Sequence, residues 1–147
     1  MQEPRGFFVF VSCDAKEAYP NTFLRDMKQP DSGYVSFCGD KAQYFRCDGK
    51  VDTKTEIMLC PEDSVQLHKI TLTNHDSTDK TITLTFYSEI ILAKRQSDEA
   101  HRAFSNLFVS TQYDEERGEL FAVRHGRDNS EKPVWACLGM ASDAEFA

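Results

Sequence analysis

One stretch constrains the fold more than any other: Val65 to Ala93, where VQLHKITLTN, HDSTD and KTITLTFYSEIILA follow one another. In its second half Ile82, Leu84, Phe86, Ile90 and Leu92 share one parity. Thr81, Thr83, Thr85, Tyr87 and Glu89 share the other. Successive side chains of a strand point to opposite faces, so the alternation predicts one apolar and one hydroxylated face. A helix would scatter Ile82, Leu84 and Phe86 around its cylinder, and the repeated threonines disfavour it further. Residues His75 to Asp79 supply turn chemistry, because short polar side chains bond to nearby backbone groups. The stretch therefore predicts two long strands paired as a hairpin. Its first strand is less regular: Val65 and Leu67 lie on one parity, Ile70 and Leu72 on the other. A β-bulge near His68 would restore a single buried face.

The rest of the chain repeats the pattern in shorter pieces. Gly6 to Ser12 is a continuously apolar run, which fits a strand covered on both faces. Asp14 to Tyr19 has room for one helical turn before Pro20, and Thr22 to Met27 reads as a weak strand. Further strands are expected at Tyr34–Cys38, Ala42–Cys47, Val51–Cys60, Leu107–Tyr113, Leu120–His125 and Val134–Met140, with turn signals such as Asp48–Gly49 between them. The one helix-compatible segment is Gln96 to Phe104, with Ser97 as its cap and Asp98 and Glu99 at the positive end of the helix dipole. The tail from Ala141 to Ala147 carries no pattern and is expected to fray. Many short strands with at most one short helix predict an all-β, antiparallel β-sandwich, and the 147 residues suit a single domain with a core of its own.

Charge and cysteine usage narrow the function. A net charge of -7 opposes general nucleic-acid binding, which needs clustered Lys and Arg, and gives no attraction to an anionic membrane. Neutral ligands such as sugars meet no such barrier. Phe7 to Val11 is too short for a signal-peptide core or a membrane span, so the expected location is cytoplasmic. The five cysteines, Cys13, Cys38, Cys47, Cys60 and Cys137, are widely spaced without a CxxC pair. They read as reduced, mostly buried thiols rather than as a disulfide framework or a zinc site.

No GxGxxG, P-loop, HExxH or GxSxG is present. The acidic pairs Glu62–Asp63, Asp98–Glu99 and Glu115–Glu116 read as solvated turns rather than as a glycosidase carboxylate pair. His68, His75, His101 and His125 match no ligand spacing, so no metal and no cofactor is expected. Phe86, Phe104, Phe108 and Phe121 are expected in the core. Trp135, Tyr113, Tyr87 and Tyr34 could act as platforms, because stacking the apolar face of a pyranose on an aromatic ring removes apolar surface from water. Trp135 lies in the apolar run VWACL, where a core position is the plainer expectation.

The run KITLTNHDSTDKTITLTFYSEIIL, followed by DEAHRAFSNLFVSTQYD and then KPVWACLGMA, resembles a β-sandwich domain of the cyclic β-1,2-glucan synthases. Related domains occur in the cellobiose and chitobiose phosphorylases, family 94 glycoside hydrolases once classed as glycosyltransferase family 36. The resemblance spans Phe23 to Ala141, with FLRD at Phe23 to Asp26 as its upstream anchor. It implies a supersandwich of the galactose-mutarotase-like kind, and a chain that is a fragment or shortened relative of a larger enzyme. It further implies that catalysis resides in an (α/α)6 barrel outside this chain, so no catalytic residue transfers to it. The implied function is a non-catalytic carbohydrate-associated module on the cytoplasmic side of the inner membrane. The alternative is a structural interdomain or dimerisation domain without sugar binding. Its implied partners are a β-glucan or oligosaccharide, the catalytic barrel and a second copy of itself. The residues expected to touch carbohydrate are Trp135, Tyr113, His101 and Arg102.

Overall fold

A computed structural model describes residues 6–126 and 130–143, apart from the side chains of Arg102 and Ser105. The chain divides into two compact units, Met1–Ser88 and Glu89–Ala147. The first holds β1 (Phe7–Cys13), β2 (Tyr19–Pro20), β3 (Ser32–Cys38), β4 (Lys41–Asp48), β5 (Val51–Leu59), β6 (Gln66–Asn74) and β7 (Ile82–Ser88). The second holds α1 (Arg95–Ala100), α2 (Arg102–Asn106), β8 (Val109–Asp114), β9 (Glu119–Arg124) and β10 (Val134–Gly139). All pairings are antiparallel, as expected for a sandwich-type all-β protein.

The first unit has two sheets, ordered β2-β1-β7 and β3-β4-β5-β6. The strand expected at Ile82 is present, and its Ile/Leu/Phe row alternates half-buried against exposed threonines and Tyr87. The hairpin is not. β6 pairs with β5 along its whole length, from Leu59↔Gln66 to Val51↔Asn74, and β7 pairs with β1 in the other sheet, from Phe7↔Ser88 to Cys13↔Ile82. Alternation fixes which face of a strand is buried but does not name its neighbour. Residues 75–81 can span roughly 20 Å, enough to pass between layers about 10 Å apart. Their polar side chains hold the crossing: Asn74 Nδ2 donates to the Thr78 carbonyl, Lys80 pairs with Asp76 and Asp14, and the Asp14 and Thr81 backbones are joined by a 2.8 Å bond.

The bulge near His68 is also absent, because the β5–β6 register runs without interruption. His68 itself belongs to the inward row with Ile70 and Leu72. Its ring meets Phe7 edge-on at 6.5 Å, and burial lowers its pKa, so it serves as a half-buried neutral aromatic. Val65 and Leu67 point outward and are exposed. Three further expectations fail. Asp14 to Tyr19 is no helical turn, since Asp14 and Ala15 adopt φ of 53° and 56° in a tight turn after β1. Thr22 to Met27 is no strand, because side chains rather than a neighbouring strand hold its backbone. The cysteines are free, as expected, but Cys38, Cys60 and Cys137 are exposed.

The inward face between the two sheets is partly polar. Val9, Val11 and Val51 are buried beside Thr53, Thr55, Asn21 and Arg46. Asn21 Nδ2 donates to Thr55 Oγ1 at 3.0 Å across the layers. Arg46 has no exposed surface and uses all five N–H donors of its guanidinium. Nε and Nη2 donate to the two oxygens of Asp48 at 2.6 and 3.0 Å. Nη1 donates to the carbonyls of Pro20 and Thr22, and Nη2 also reaches the Lys28 carbonyl. Its guanidinium carbon sits 4.7 Å from the centre of the Tyr19 ring. One arginine thus fastens the irregular 20–28 segment to the four-stranded sheet.

On the outward face, Glu56 accepts from Lys41 Nζ at 2.9 Å and Gln43 Nε2 at 2.8 Å, with Lys54 at 3.4 Å. The Lys41 and Gln43 bonds bring its pKa down to about 2. A carboxyl whose folded pKa is depressed stabilises the fold above its unfolded value, and that stabilisation fades as pH falls. Between wild type and Glu56→Gln, the difference in thermal midpoint should therefore be constant above about pH 5 and close towards pH 2. Thermal melts across that range check it; a difference independent of pH would remove Glu56 from the acid response.

Candidate functional site

The second unit carries all four residues expected to meet carbohydrate. The helical expectation holds in part. The segment is helical but breaks at His101, whose φ of -150° ends α1 before α2 begins, giving two short helices. The residue preceding α1 is Lys94, without a side-chain cap, so Ser97 lies inside the helix and does not cap it. His101 is exposed at the break, and the Arg102 side chain lies outside the described residues. Phe104, expected in the core, is 49% exposed, stacking edge-on with Phe108 at 5.3 Å. A five-residue helix offers too little surface to bury it.

The sheet of this unit is ordered β10-β9-β8. Cross-strand partners share a face, so the register decides which side chains can act together. Trp135, Val123 and Ser110 form one row, with Cys137, Phe121 and Gln112 beside them on the same face. Tyr113, Leu120 and Leu138 form a row on the opposite face, which also carries Ala122, Arg124 and Val134. Trp135 and Tyr113 were both named as platforms, and the register keeps them apart. They cannot bind one sugar together.

Trp135 is 64% exposed, so the core position expected for it is wrong. Its strand lies at the sheet edge, and only Val123 of its row is buried. Two strands away, roughly 10 Å, the Ser110 hydroxyl pairs with His125 Nε2 at 3.0 Å. A flat indole with a hydroxyl, an imidazole and the Gln112 amide across the same face can stack one ring and hydrogen-bond the next. Among the described residues no group of three or more His, Cys, Asp or Glu side chains is arranged to hold a metal ion. In the first unit His75 Nε2 pairs with Asp52 at 2.8 Å, and the side-chain bond to Asp52 raises the Cys47 pKa, which works against thiolate formation.

The buried arginines Arg46 and Arg124 belong to no motif. Their only trace in the sequence is a cation inside an apolar strand, AQYFRC and ELFAVR. No helix among the described residues is long and apolar enough to cross a membrane.

The first unit is thus an antiparallel double-sheet body, and the second carries a three-stranded antiparallel sheet of its own. The family model for the glycosyl hydrolase 94 supersandwich domain matches residues 1–146, and the chain belongs to that family. The match reaches beyond the Phe23–Ala141 stretch that carried the resemblance and takes in β1, which pairs with β7. Cyclic beta-(1,2)-glucan synthase NdvB of Rhizobium meliloti (strain 1021) is 22% identical over 135 residues, which are 91% of this chain and 5% of that protein. The chain thus spans about one twentieth of that relative's length.

Proposed function

We propose that this chain is a non-catalytic, carbohydrate-binding β-sandwich module of a cyclic β-1,2-glucan synthase or of a cellobiose or chitobiose phosphorylase-like enzyme. Its partners on this reading are a β-glucan and the catalytic (α/α)6 barrel, in cytoplasmic surroundings. The observation behind it is Trp135, the sole tryptophan, open on a sheet face with hydrogen-bonding side chains within a disaccharide's reach. Covering about 50 Å² of apolar surface on the indole is worth about 1.3 kcal/mol, or about tenfold in affinity.

The expected result is a saturable change in tryptophan fluorescence with β-1,2-linked gluco-oligosaccharides at millimolar concentration. Trp135→Ala should weaken binding about tenfold by calorimetry while leaving the thermal midpoint in place. A second reading, a structural docking or dimerisation domain, is favoured by the uncovered inward-facing residues Phe37 and Leu59, 77% and 69% exposed, where β3–β6 outnumber the strands opposite. Silent fluorescence together with a dimer in light scattering would replace the first reading by the second.

A further inference from the structure

Among the described residues the two buried arginines are satisfied very differently. Arg46 spends five donors on five acceptors inside the fold. Arg124 has a side chain only 7% exposed, yet among the described residues it makes one side-chain hydrogen bond, Nη1 to Glu131 Oε1 at 3.0 Å. Its Nε is buried without an acceptor. Buried guanidinium donors are costly to leave unmade. Because Nε is closed to solvent as well, an acceptor from outside the chain would reach this guanidinium through its Nη atoms.

The surroundings indicate which kind. Arg124 and Glu131 line a cavity of about 630 Å³ in the second unit, together with Lys94, Ser97, Leu92 and Val134. Arg124, Lys94 and Ser97 supply donors, while Glu131 and Ser97 supply acceptors, and a carboxylate takes up to about four hydrogen bonds. A phosphate or carboxylate would meet the Glu131 charge at close range. A vicinal diol donates and accepts at once and is neutral, so it suits a mixed donor–acceptor wall. Leu92 and Val134 give an apolar surface for the C–H face of a ring.

We propose that this cavity is a second carbohydrate subsite, taking a neutral pyranose whose adjacent hydroxyls bridge Arg124 and Glu131. Arg124 projects from the face of β9 opposite to the Trp135 row, so the two sites lie on opposite sides of one sheet. The inference takes its ligand class from the carbohydrate reading above but stands on different residues.

Amide chemical shifts of the 147-residue chain, titrated separately with methyl β-glucoside, sophorose and inorganic phosphate, test it. Saturable shifts at Ala93, Lys94, Ser97 and Val134 with either sugar are expected, and none with phosphate. Glu131→Gln keeps the shape of the side chain, which is 42% exposed, and should weaken those shifts about tenfold, with the sugar-free amide spectrum showing that the variant is folded. Unmoved amides at saturating sugar, unchanged affinity in Glu131→Gln, or saturation by phosphate instead would overturn the proposal. Trp135→Ala separates the two sites. Cleft shifts that persist in it support the subsite, and if tryptophan fluorescence stays silent they do so while the Trp135 reading fails. Cleft shifts that vanish in it overturn the subsite and leave the Trp135 reading intact.

Discussion

Arg46→Met should lower the unfolding free energy by about 3–5 kcal/mol and the thermal midpoint by roughly 10–15 °C. The change removes five hydrogen bonds and leaves the Asp48 carboxylate, whose side chain is 2% exposed, without its bidentate partner. Lys28 lies 3.4 Å from Asp48 but is half exposed and cannot replace the fork. The carbonyls of Pro20, Thr22 and Lys28 also lose their donor, so the 20–28 segment loosens and its amides exchange faster. Arg46→Lys keeps the charge but offers three donors in place of five, and should recover about half of the loss. The double variant Arg46→Met/Asp48→Leu should be more stable than Arg46→Met alone, because it removes the orphaned charge. Denaturant melts of the four proteins decide the matter. An Arg46→Met chain within 1 kcal/mol of wild type would show that the guanidinium is not what holds the segment.

Gly33→Ala should cost about 2–3 kcal/mol, an unusual penalty for one methyl group on an edge strand. Gly33 is paired with Arg46, and a Cβ there would stand 2.7 Å from Phe23 Cζ, 3.3 Å from Arg46 Cα and closer still to the Phe45 carbonyl oxygen. The ring can turn aside, but the carbonyl belongs to the β-ladder and cannot. The bare backbone of Gly33 is therefore the seat in which Phe23 rests, and Arg46 holds the flanking carbonyls over it. Phe23→Ala in the same chain should relieve only part of the Gly33→Ala penalty, leaving the clash with Phe45. Denaturant melts of both variants check this, and full relief in the double variant would place the entire conflict at the ring.

Both effects arise in positions whose sequence gives little sign of them. In the sequence Gly33 closes the run Pro30–Asp31–Ser32–Gly33, whose residue types signal a turn, and Arg46 is a polar interruption in a strand. The site residues were partly legible. Trp135 and Tyr113 stood out as aromatics on short strands, but only the β8–β9–β10 register shows that they face opposite ways. The acceptor shortage at Arg124 is invisible without coordinates, because it depends on what surrounds a buried cation rather than on its neighbours in the chain.

Period-two alternation determined from the sequence alone that Ile82, Leu84 and Phe86 line one face of a strand, and the Asp48–Gly49 turn that β4 returns as β5. These are local properties, fixed by the direction of each Cβ and by turn chemistry. Which strand lies beside β7 was decided only in three dimensions. A long polar crossing let it join β1 instead of β6, and backbone ladders are nearly indifferent to the identity of their partner. Layer packing made that choice, with Val9 and Val11 closing over a core that Arg46 and Asp48 complete.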